Sequence, residues 1–154
     1  MLHRPNPDLH HFLELELARS RRFDIPVSVL AFEVPETSDA RRWRRRRRDG
    51  TTLRALANRL TQHVRGFDAV FSDVDARRLI VVAAGSPPAE TERLRDRLAA
   101  QLDAHQRPVA SGAACFPADG SRPGELLEAA VARMRTDDHH EDDDTDATYL
   151  ERSA

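Results

Sequence analysis

Three short apolar runs constrain this chain more than anything else in it: residues 25–34 (IPVSVLAFEV), 79–84 (LIVVAA) and 109–116 (VASGAACF). Each is rich in small or β-branched side chains, and each is closed by turn formers: Pro35, then Gly85-Ser-Pro-Pro, then Pro117-Ala-Asp-Gly-Ser. Such runs belong to buried strands, because they are too short for a covered helix and carry almost no polar alternation. Proline at 35 ends the first run, since it cannot donate to a ladder.

What covers the strands lies between them. Leu9, Phe12, Leu13, Leu15 and Leu17 fall largely on one side of a helix reaching about Arg22, with Asn6 or Asp8 as its cap. Leu53, Leu56, Ala57, Leu60 and Val64 repeat at helical spacing, as do Leu94, Leu98 and Leu102 within residues 90–102, and residues 124–134 supply a last helix. A short strand at 69–72 and a turn at 73–76 make a hairpin with 79–84. The predicted order is αβαββαβα: one α/β (α+β) domain, helices against a central mixed sheet, one continuous core.

The 154 residues, 40% of them hydrophobic, suit a single domain. The net charge of -2 hides a segregation: every basic residue is arginine, eight positions from 41 to 48 hold arginine apart from Trp43, and acidic residues crowd the C-terminus. Residues 136–148 (TDDHHEDDDTDAT) have no apolar periodicity, which predicts a disordered tail over 136–154 beyond a domain at 1–135. Cys115, the single cysteine, reads as a buried structural thiol. Neither a signal peptide nor a membrane span is visible, so the expectation is cytoplasmic.

Four segments carry a resemblance over residues 9–135. ELARSRRFDIPVSVLAFEV, TLRALANRLTQHVRGFDAV, LIVVAAG and VASGAACFPADGSRPGELLEAAVARM stand in the order and spacing of the helices and strands of the GGDEF family, the bacterial diguanylate cyclases. The resemblance implies a nucleotidyl-cyclase-like domain with a central antiparallel or mixed sheet flanked by helices. It also implies a chemistry in which two facing domains join two GTP molecules into cyclic di-GMP, with divalent metal ions bound by carboxylates.

Those carboxylates are where this sequence departs. The first-strand ligand position holds Glu33, whose longer side chain leaves it a vestigial candidate for metal. The GG(D/E)EF signature becomes Asp75-Ala76-Arg77-Arg78-Leu79: the phosphate-approaching glycines are gone, and arginine stands where the acidic pair belongs. Guanidinium at a metal position repels the cation. The base-reading positions fall on Arg41 and Gly50, neither of which can read a guanine edge as the family does. The expectation is a degenerate domain with no catalytic residue, no cofactor and no metal. The alternative enzyme would use Glu33 with Asp73 or Asp75.

One family feature remains. Arg65-Gly-Phe-Asp68 occupies the place of the inhibitory RxxD motif, whose arginine and aspartate bind cyclic di-GMP in many members. A plainer reading stands beside it, in which Asp68 caps a turn and Arg65 is a solvated last-turn cation. The arginine run reads first as a solvated loop with Trp43 on the domain surface; it also admits phosphate gripping with Trp43 stacking, or docking on an acidic protein, but the acidic tail, able to compete for the same arginines, argues against nucleic acid. His139 and His140, like His10 and His11, lack partners at metal-ligand spacing, and Ser28, Ser111 and Cys115 lack a matching His and acid. The expected role is an inactive signalling domain, with cyclic di-GMP, a protein partner or a second copy as what it binds.

Overall fold

The computed structural model describes residues 7–34, 51–103 and 109–136. The arginine run with Trp43, the positions Arg41 and Gly50, His139 and His140, and the acidic segment from residue 137 onward lie outside the described residues. The elements are α1 (Pro7–Phe23), β1 (Val27–Glu33), α2 (Thr51–Thr61), β2 (Ala69–Asp73), β3 (Arg78–Ala84), α3 (Pro88–Asp103), β4 (Ala110–Phe116), α4 (Pro123–Ala132) and β5 (Arg135–Thr136).

Local chemistry sets the boundaries. Helices α1, α3 and α4 each begin on a proline, whose fixed φ suits a first turn and whose missing N–H would be unpartnered there anyway. Helix α2 stops at Thr61, short of the Val64 expected from periodicity; Thr61 Oγ1 turns back to the Ala57 carbonyl at 2.9 Å, and Gln62 and His63 close tighter turns onto Arg59 and Leu60. At α4, Glu125 Oε2 accepts the N–H groups of Ser121 at 2.8 Å and Arg122 at 3.2 Å, satisfying donors that the helix leaves open.

The strands form one sheet in the order β2-β3-β1-β4-β5, and every described pairing is antiparallel. Strand β1 is central: Val27 faces Ala84 on one side and Phe116 on the other, and Glu33 faces Arg78 and Ala110. Its side chains alternate between two cores. Leu30 and Phe32 join Leu79, Val81 and Ala83 beneath Leu53, Leu56 and Leu60 of α2 and Leu98 and Leu102 of α3. Val27, Val29 and Ala31 join Ile80, Val82 and Ala114 beneath Leu9, Leu13 and Leu17 of α1 and Leu126 and Ala130 of α4. The single continuous core expected from the sequence is thus two layers separated by the sheet.

The buried hydroxyls of Ser28 and Thr91 are paired. Ser28 Oγ lies 2.7 Å from Thr91 Oγ1, which donates to the Pro87 carbonyl at 3.2 Å. Cys115 Sγ lies 3.5 Å from the same serine, and the residue, one from the end of β4, is partly exposed rather than buried. Among the described residues no helix is long and apolar enough to cross a membrane.

Candidate functional site

The β2–β3 hairpin carries the residues that the resemblance sets at the signature. Asp73 Oδ1 accepts the Ala76 N–H at 3.1 Å, and the Arg77 N–H reaches the Val74 carbonyl at 3.3 Å, closing a four-residue bend. Arg77 adopts φ +54°, a left-handed conformation usually given to glycine. The bend is strapped to the end of β1 on both sides of that residue. Val34 N–H donates to the Arg77 carbonyl at 3.0 Å, and Arg77 Nε donates to the Val34 carbonyl at 3.2 Å.

Register then decides the electrostatics. Asp73, Arg78, Glu33 and Ala110 form one cross-strand row, so Arg78 stands between the two carboxylates that a cation would need. Arg78 Nη2 is 3.6 Å from Glu33 Oε2; the arginine side chain is 21% exposed and the glutamate 47%. Arg78 Nε is buried and has no hydrogen-bond partner among the described residues. Asp75 is exposed at the tip of the bend, while Asp73 uses an oxygen on the bend itself. A divalent cation takes several hard oxygen ligands. Glu33 beside a guanidinium does not supply them, and among the described residues no three His, Cys, Asp or Glu side chains gather into such a set.

Arg65 and Asp68 lie at the opposite end of β2. Asp68 Oδ2 accepts the Arg65 N–H at 3.0 Å, Asp68 Oδ1 accepts the Ala84 N–H at 3.3 Å, and the Asp68 N–H returns to the Arg65 carbonyl at 3.0 Å. Both carboxylate oxygens therefore hold backbone, as the turn-capping reading anticipates. The bond to Ala84 ties the α2–β2 turn to the end of β3. The Arg65 side chain is exposed and has no hydrogen bond or ion pair among the described residues. Of the other residues singled out, His10 meets Glu14, at 3.5 Å, and Ser28 and Ser111 are buried in strands.

Sequence reasoning missed two of these contacts. The Arg78–Glu33 pair joins residues far apart in the chain and becomes visible only once β1 and β3 have a register. The Asp68–Ala84 bond has the same character.

No protein-family model matches the chain, and no curated protein matches it. Solved structures do. The GGDEF domain of YfiN (TpbB) from Pseudomonas aeruginosa superposes with a TM-score of 0.70 at 18% identity, over 82% of this chain and 84% of that one. A sensory box/GGDEF family protein from Caulobacter crescentus gives 0.66 at 18% identity, over 84% and 88%. A microbial GGDEF domain studied for its interaction mode with bis-(3′,5′)-cyclic di-GMP gives 0.62 at 12% identity, over 80% and 82%. The chain has the fold of GGDEF domains.

Proposed function

We propose that this GGDEF-fold domain acts by binding and not by cyclising GTP, as a cytoplasmic signalling module whose cation site has been replaced by an ion pair. The observation that carries the reading is Arg78 Nη2 at 3.6 Å from Glu33 Oε2, in a row where Asp73 lies on the far side of the arginine. A metal entering there would meet a fixed positive charge in place of a second carboxylate. Incubating the protein with GTP and Mg²⁺ or Mn²⁺ is expected to yield no cyclic di-GMP above background. Formation of product that disappears in Glu33→Ala would overturn the reading and restore the residual enzyme.

A second reading, in which the module is a cyclic di-GMP receptor, is favoured by one feature. Arg65 presents an exposed guanidinium, a fork suited to phosphate or a guanine edge, on a turn held rigid by Asp68. Asp68 supports this reading as a positioning residue, since its oxygens already accept backbone N–H groups. Calorimetric titration with cyclic di-GMP, repeated on Arg65→Ala, tests it: saturable heat lost in the variant is expected. No heat at high micromolar ligand leaves a protein partner as what the module binds.

A further inference from the structure

The outer edge of β2 carries no strand among the described residues. Which of its backbone groups face outward follows from the hydrogen bonds on the other side of the hairpin. The Val34 N–H meets the Arg77 carbonyl, and the Gly85 N–H meets the Pro26 carbonyl at 2.7 Å, so odd-numbered residues of β3 point their backbone at β1. Residues 78, 80 and 82 therefore point at β2, where they face Asp73, Phe71 and Ala69. Val70 and Ser72 are left directing both N–H and C=O away from the sheet.

Among the described residues nothing pairs with this edge. It holds no proline, and its charged residue, Asp73, is engaged by the bend. Every residue of β2 is only partly buried, including Val70 and Phe71, which lean on opposite cores. Two large apolar side chains flank it in solvent: Phe67, 63% exposed, before the strand, and Val74, 54% exposed, after it.

We infer that a second copy of this chain pairs with β2, antiparallel and two-fold symmetric about Phe71, continuing the sheet across both molecules. The edge is complementary to itself in that register, in backbone hydrogen bonding and in charge. Val70 falls opposite Ser72 of the second copy and the reverse, so every outward N–H and C=O is used, in about four bonds. Asp68 falls opposite Val74 of the second copy and Phe67 opposite Asp75, at each end. The Arg65–Asp68 turn then faces the other bend, where Asp75 is exposed. Neither the Arg65 guanidinium nor the Asp75 carboxylate has a partner among the described residues of one chain. Opposite charges thus meet twice, as an isologous contact requires.

So short an edge makes a small interface, and weak, concentration-dependent association is expected. Sedimentation velocity across a concentration series tests it, with circular dichroism confirming that each variant is folded. The wild type should move from one to two chain masses. Ser72→Pro removes an N–H that points outward and costs the β2–β3 ladder nothing, so it should weaken association at least about tenfold. Phe67→Glu, at a solvent position, should do the same should the proline disturb the strand, and Arg65→Glu should be rescued by Asp75→Arg. A wild type that stays at one chain mass throughout overturns the proposal. Association unchanged in both Ser72→Pro and Phe67→Glu also overturns it. Neither readout depends on GTP turnover, so its failure leaves the proposed function standing.

Discussion

Asp119 shows how much one side chain can hold at the turn after β4. Its Oδ1 accepts Arg133 Nη2 at 2.7 Å, its Oδ2 accepts the Cys115 N–H at 2.8 Å, and Arg133 Nη1 goes on to the Ala113 carbonyl at 3.1 Å. The hydrogen bond from Arg133 holds the Asp119 carboxyl below its ordinary range, with the Cys115 N–H adding to it against a counteracting cost of burial. A carboxylate depressed in the folded state stabilises fully above its unfolded value of about 4, and loses that contribution as pH falls below it. Asp119→Asn should therefore lower stability by about 1–2 kcal/mol at pH 7, a range kept small because Arg133 is half in water. The difference from wild type should shrink toward pH 2, as urea melts at several pH values can measure. The aspartate was visible in the sequence only as a turn residue; the arginine that fixes its charge comes from the far end of α4, and nothing in the spacing announces the pair.

At the scale of elements, the α4–β4 contact is set by a glycine. A Cβ on Gly112 would come within 2.7 Å of the Met134 nitrogen and collide with the Ala130 carbonyl, both main-chain atoms that cannot swing aside. Gly112→Ala is expected to destabilise by about 1–3 kcal/mol, the usual penalty for overpacking. Gly124, in the first turn of α4, has open space where its Cβ would be, so Gly124→Ala should be neutral or stabilising by up to about 1 kcal/mol. Thermal melts of the two variants, side by side, check the contrast. The strands were legible because β1, β3 and β4 are apolar runs bounded by turn formers, and the helices because leucines recur at their period. The two-residue β5 was not: Arg135 and Thr136 have no pattern, and pairing with Ser111 and Ala110 alone makes them a strand. The hairpin bend was placed by its sequence to within a residue or so. That Arg77 rather than a glycine takes the left-handed turn was beyond reach, because it depends on the two bonds to Val34.

Across the whole molecule the sheet divides stability unevenly. Leu30 and Phe32 on one face and Val27, Val29 and Ala31 on the other are all essentially removed from solvent, whereas β2, among the described residues, is paired along one side only. Amide exchange should accordingly be slowest in β1, opening only with global unfolding, and fastest at Val70 and Ser72 in dilute protein. Raising the protein concentration through the association range should slow exchange at those two positions and leave the β1 amides unchanged. Hydrogen-exchange mass spectrometry or NMR at two concentrations reads both effects. The same unevenness places the candidate sites: the Arg78–Glu33 pair lies against the stable central strand, and the Arg65–Asp68 turn lies at the start of the open one.

Putting the central strand first in the chain has a price in time. When Val27 leaves a ribosome, its neighbours Ala84 and Phe116 have not yet been made, and at about 5–20 residues per second the wait for the second is several seconds. Until then a largely apolar strand stands with both edges exposed, and the nascent chain is a substrate for any chaperone that recognises extended hydrophobic segments. Refolding of the finished protein is likewise governed by distant pairings, which place it between fast helical bundles and slow all-β domains.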